Sequence, residues 1–201
     1  KSVPNMKITL IFSGVKEIGT QFEGNKNINV VKVEKTVSSI KSSAFNKCVS
    51  LSEVVLPDSI TEINDNTFNQ CRSLEKITLP SALTKIGKFV FHSCQALKEI
   101  AIPSTVTAIS LNSFSECKCL EQVTIPSSAT IIEKLAFSGC TSLKTVTIPE
   151  SVTKIEQEAF SKCDSIKEIT LPSSVTEIGE SLFLSCVSLE KVTISSSITI
   201  V

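Results

Sequence analysis

Eight phenylalanines fall 23 residues apart, at Phe22, Phe45, Phe68, Phe91, Phe114, Phe137, Phe160 and Phe183. A fixed period of this length marks a repeat architecture, in which each unit buries its apolar face only against its neighbours. From the second phenylalanine onward a cysteine stands three places later, at Cys48, Cys71, Cys94, Cys117, Cys140, Cys163 and Cys186. Three places on again come Leu51, Leu74, Leu97, Leu120, Leu143, Ile166 and Leu189, then an apolar pair such as Val54 and Leu56, and in most units a proline. The unit closes on two more apolar positions, as in Ile60 and Ile63 or Val152 and Ile155.

The pattern dictates geometry. A stretch such as E-I-T-L-P alternates apolar and polar β-formers, which predicts a short strand with one buried face, and the proline stops the ladder. One such strand per unit, always running the same way, pairs only in parallel, so the chain is expected to coil right-handedly through about 8 turns over roughly 40 Å. S-V-T-K-I predicts a second, shorter extended stretch, and A-F-S-K-C a single helical or 3-10 turn on the outer side. The expected fold is a β-rich α/β solenoid with a concave parallel sheet. It forms one domain over 1–201: residues 1–21 are a degenerate N-terminal edge turn, with Ile8 and Leu10 set against Val31 and Val33, and residues 22–201 are regular repeats. Val201 falls in the place of Ile63, so the last unit stops part-way; the expectation is that the chain continues or that ends meet in an end-to-end homodimer. It opens on Lys1, which is read as a processed protein or a piece of a longer one.

The unit L-x-x-I-x-L-P-x-x-V-x-x-I-x-x-x-A-F-x-x-C-x-x-L resembles the BspA-like, or Treponema-type, leucine-rich repeats, and the match spans nearly the whole chain. The resemblance implies a leucine-rich-repeat solenoid in surface or secreted proteins of bacteria and mucosal protozoan parasites, attaching to host proteins or cells, hence an extracellular or cell-surface location. It carries no catalytic residues to transfer. Departures from the pattern are Asn25 for cysteine, Ala129 for valine and Ser195 for proline.

Composition narrows the partners. Lys plus Arg equals Asp plus Glu at 20 each, and Arg72 is the only arginine, so neither a net field nor planar guanidinium forks draw the chain to nucleic acid. Trp and Tyr are absent, which removes the usual sugar-stacking platforms. No apolar run reaches the roughly 18 to 20 residues that span a bilayer, so membrane insertion of this segment is not expected. Single glycines form no phosphate-cradling loop, and neither cofactor nor metal is implied.

In a stacked coil the cysteine column forms an inward ladder. Neighbouring parallel turns present their Cβ atoms side by side, which strains a bridge, and a straight row cannot surround tetrahedral zinc; the column is read as buried free thiols acting as small hydrophobes. Cys119 alone leaves the register, in a column of Ser50, Ser73, Ala96, Ser142, Ser165 and Ser188. It is the candidate reactive thiol, either pairing with another chain or incidental. His92 shares its column with Asn46, Asn69, Ser115, Ser138, Ser161 and Leu184, and is read as a surface residue without a catalytic partner.

Protein binding by the sheet face is the expected use of a solenoid. The candidate contacts are two outward columns: Glu53, Lys76, Glu99, Gln122, Thr145 and Glu168, and beside them Val55, Thr78, Ala101, Thr124, Thr147 and Thr170. An edge column, Ser52, Glu75, Lys98, Glu121, Lys144, Lys167 and Glu190, is expected to stack opposite charges for register and solubility. A second candidate surface is where outer polar positions turn apolar, at Phe89, Leu111, Ile131 and Leu135. The functional expectation is a non-enzymatic adhesion or host-interaction module binding a protein partner. The competing reading is an intracellular, cytoplasmic scaffold, which reduced thiols would suit.

Overall fold

The computed structural model describes residues 7–194 and 198–200. Two parallel walls run the length of the chain. The first holds β1 (Ile8–Phe12), β3 (Ile28–Val33), β5 (Glu53–Val55), β7 (Lys76–Thr78), β9 (Glu99–Ala101), β11 (Gln122–Thr124), β13 (Thr145–Thr147), β15 (Glu168–Leu171) and β17 (Lys191–Ile194). The second holds two-residue strands: β2 (Glu17–Ile18), β4 (Ser39–Ile40), β6 (Glu62–Ile63), β8 (Lys85–Ile86), β10 (Ala108–Ile109), β12 (Ile131–Ile132), β14 (Lys154–Ile155), β16 (Glu177–Ile178) and β18 (Thr199–Ile200). Every pairing within each wall is parallel, and in the regular turns partners lie one repeat apart, as Glu53 with Lys76 and Lys154 with Glu177. The result is a β-solenoid of about 8 turns.

The core is the repeat written in three dimensions. Phe45, Phe68, Phe91, Phe114, Phe137 and Phe160 are wholly buried, and from Phe22 to Phe183 each ring stacks on the next at centroid distances of 5.4 to 6.2 Å. Stacked aromatic pairs add about 0.5–1.5 kcal/mol each beyond the area they bury. The column cysteines from Cys48 to Cys163 are buried and unbridged, Cys186 is half-buried, and each of these thiols donates to the phenylalanine carbonyl one turn back, as Cys94 Sγ to Phe68 O at 3.2 Å. Hydroxyls hold the opposite corner: Ser59, Ser128 and Ser174 donate to the carbonyls of Val37, Val106 and Val152 at 2.6 to 2.8 Å.

Three expectations need correction. Among the described residues there is no helix or 3-10 segment; the A-F-x-x-C corner is a run of turns. The reason is backbone handedness: the residues two before and two after the phenylalanine take left-handed φ near 60°, as at Ser43 and Lys47 or Asn66 and Gln70, which no right-handed helix accommodates. The corner amides instead bond along the solenoid, Phe45 N to Thr67 O at 3.0 Å and Lys47 N to Asn69 O at 2.7 Å. Second, the first turn is set differently: Leu10 pairs with Val31 and Phe12 with Val33, with an irregularity between Ile8 and Thr9. Two fewer residues separate these strands, and the offset puts Phe12 against the Phe22 and Phe45 rings. Third, Ile200, paired with Ile178, takes the place in the last turn expected for Val201. Val201 and Ser195 themselves lie outside the described residues.

Candidate protein-binding face

Strand alternation sends Val54, Ile77, Ile100 and Val123 into the core and leaves their neighbours outside. Lys76, Glu99, Gln122, Thr145 and Glu168 are exposed, Glu53 is half-buried, and Val55, Thr78, Ala101, Thr124, Thr147 and Thr170 are all exposed beside them. The two sequence-derived columns thus share one face of the first wall. Two open grooves cross it. One, of about 490 Å³, is lined by residues of β7, β9 and β11, including Lys76, Glu99 and Thr124. The other, of about 830 Å³, is lined by residues of β13, β15 and β17, including Lys167, Glu168 and Lys191. Both fall in the size range of ligand sites.

Opposite charges stack in register as expected, Glu53 beside Lys76 and Glu168 beside Lys191, but most do not close into ion pairs. Among the described residues Glu121 and Lys144, at 2.7 Å, are the only ion pair on the first wall. The ammonium beside Glu121 lowers its carboxyl pKa, chiefly through the hydrogen bond. Elsewhere long side chains on adjacent exposed turns do not meet, because an exposed pair gains too little to hold two flexible chains in one geometry.

Phe89, Leu111, Ile131 and Leu135 are half-buried on the outer corner and second wall. Phe89 and Leu135 occupy the left-handed corner position, with φ of 57° and 58°, where Asn66 and Asn112 stand in other turns. Of the large apolar side chains that are exposed, Val55 on the sheet face was a candidate contact from the sequence; Ile11 and Val15 in the first turn and Leu184, Val187, Val192 and Ile194 in the last were not. Val192 and Ile194 carry the inward signal of the repeat, so composition alone reads them as core. Cys119 is exposed and unbridged, its amide bonded to Gln95 O at 3.2 Å.

His92 is not the surface residue expected. It is half-buried, with Nδ1 2.6 Å from Ser115 Oγ and Nε2 3.3 Å from Ser93 Oγ, and burial lowers its pKa. Its column is a polar seam inside the corner: Ser138 Oγ lies 2.7 Å from Ser161 Oγ, and Asn46 Nδ2 donates to Glu23 Oε1 at 2.7 Å. Ser115 is buried and also donates to Asn112 O, so the pair is a structural contact. Among the described residues no cluster of His, Cys, Asp and Glu is arranged to hold a metal ion, and no helix is long and apolar enough to cross a membrane.

The family model described as BspA type Leucine rich repeat region (6 copies) matches residues 16–142 and 107–201. The chain belongs to the BspA-type leucine-rich repeat family. This BspA-type chain is 30% identical to the T. pallidum leucine rich repeat protein, with a TM-score of 0.74 over 79% of its own length and 78% of that chain. A leucine-rich repeat protein from Bacteroides ovatus is 25% identical, with a TM-score of 0.71; the match covers 98% of the present chain but 65% of the Bacteroides one. A leucine rich cell surface protein of Faecalibacterium prausnitzii shares the fold at 23% identity, with a TM-score of 0.51 over 87% of this chain and 62% of that one. Comparison with curated proteins gave no match. Leucine-rich repeats of this family form protein-interaction modules.

Proposed function

We propose that the chain is a non-enzymatic protein-binding module of a secreted or cell-surface protein, attaching to a host extracellular protein or cell through the exposed face of its first wall. The observation that carries this reading is the coincidence of two open grooves with columns whose charges, Glu121 and Lys144 apart, have no ion-pair partner among the described residues. The surface location rests on the family resemblance and on the Faecalibacterium neighbour's description as a cell surface protein. The buried thiols do not favour a cytosolic scaffold over this reading, since a ladder packed out of reach stays reduced in either compartment.

Where no further turn of a longer chain covers them, the apolar side chains exposed in the first and last turns bring association of two copies through their ends into the same proposal. Light scattering across a concentration series reads it, and a mass that stays monomeric throughout removes it. For the binding face, beads coated with the protein are applied to immobilised host extracellular proteins and to host cells. Lys76→Glu with Glu99→Lys should cut attachment at least tenfold while Thr130→Arg on the second wall leaves it intact. Attachment lost only with Thr130→Arg would move the site to the other wall.

A further inference from the structure

The sheet face is broken in two places. β1, β3, β5 and β7 form one paired block, β9, β11 and β13 a second, and β15 and β17 a third; β7 lies against β9 and β13 against β15, but among the described residues no ladder crosses either seam. Along the edge column the amides of Glu75, Glu121, Lys144 and Glu190 each donate to the carbonyl one turn back, at 2.8 to 3.0 Å. No such bond joins Lys98 to Glu75 or Lys167 to Lys144 among the described residues, and these are the same two seams. Each groove lies across one of them.

The grooves differ in chemistry. The β7–β9 groove carries Glu75 and Glu99 against Lys76 alone. The β13–β15 groove carries Lys144, Lys167 and Lys191 against Glu150 and Glu168. Glu121 holds Lys144, Glu150 accepts from the Ser173 hydroxyl at 3.3 Å, and among the described residues the amines of Lys167 and Lys191 have no ion-pair partner. The floor of this groove is also more open: Val146 is half-buried where Val123 and Ile169 in the same column are buried. The turns of Glu99 and Glu168, at the middle of each groove, are three turns apart, about 14 Å at the usual strand spacing, which an extended peptide covers in about four residues.

Resting on the protein-binding reading above, we propose that the face binds an extended peptide segment laid along the solenoid. It places a basic side chain in the β7–β9 groove and, about four residues away, an acidic side chain in the β13–β15 groove, with an apolar side chain midway between them over Val146. The unpaired lysines meet the carboxylate, the Val146 floor meets the apolar group, and the acidic groove meets the cation. Side chains two and four apart on an extended peptide point the same way, so all three reach the face together.

Fluorescence anisotropy with four labelled peptides tests this: Lys and Glu four residues apart with Leu midway between them, the same peptide with Lys at both places, with Glu at both places, and with Lys and Glu eight residues apart. The wild-type protein should bind the first at least tenfold more tightly than the others. A protein carrying Lys167→Glu and Lys191→Glu, with an unchanged thermal midpoint, should prefer the peptide with two lysines. Equal binding of all four, no binding of any, or an unchanged preference in the double variant overturns the proposal. If bead attachment still depends on Lys76 and Glu99 in that event, protein binding by the face stands without this peptide mode.

Discussion

Each buried cysteine gives its S–H to a phenylalanine carbonyl one turn back, and that carbonyl already receives an amide from its own turn, as Phe68 O does from Cys71 N at 3.2 Å. The thiol is therefore both a space-filler and a second donor to a buried acceptor. Cys94→Ala should cost about 1–2 kcal/mol by losing volume and donor together, whereas Cys119→Ala, on the exposed edge, should stay within about 0.5 kcal/mol; urea unfolding midpoints measure both. Burial raises the thiol pKa, to about 11 at Cys48 and about 12 at Cys117. The unfolded chain releases these protons near pH 9 while the folded chain keeps them, so their stabilisation is complete below pH 9 and declines as the pH rises toward 11. Urea midpoints at pH 7.5, 9 and 10 should fall accordingly, and less steeply in Cys94→Ala. His92 runs the other way. Burial favours its neutral form, so stability is complete above the unfolded pKa of about 6.5 and drops as the pH falls below it; His92→Asn should flatten the change between pH 7 and 5.5. The positions of these residues follow from the period, but their partners do not. A bond from Cys94 to a carbonyl 26 residues earlier depends on how the corner folds, which spacing does not specify.

At the scale of elements, the strands were readable and the corner was not. Alternation and proline punctuation mark the first-wall strands, because burying one face of a ladder demands them. The corner adopts left-handed backbone at Lys47, Phe89, Glu116 and Leu135, residue types that carry no signal for it; glycine appears there in few turns, as at Gly24 and Gly139. Neighbour bonds between turns impose the conformation that local preference resists. Gly139→Ala adds a Cβ at φ 75°, facing the flexible Glu116 carboxylate, and should cost about 1–2 kcal/mol. Gly179→Ala should cost more, several kcal/mol, since its Cβ would overlap the Gln157 backbone, which cannot swing aside. Chemical denaturation of the two variants orders them, and equal costs would argue against turn-to-turn packing as the constraint. The seams beside β9 and β15 were also invisible, as the 23-residue register runs through both without a change.

For the whole molecule, the same periodicity that fixes the fold says little about binding, since any outward residue satisfies the core. The first wall offers charged and hydroxyl columns crossed by grooves. The second wall offers an exposed threonine column, Thr61 through Thr176, where Thr84, Thr130 and Thr153 turn their hydroxyls back toward carbonyls of the preceding turn at 3.0 to 3.4 Å. The first wall is therefore the proposed recognition face. The direct measurement is the dissociation constant of one protein partner for three forms of the chain: wild type, Thr124→Arg with Thr147→Arg, and Thr130→Arg with Thr153→Arg. Bulky cations on the first wall should weaken binding at least tenfold and those on the second wall less than twofold; the reverse order, or equal affinities for all three, would contradict the account.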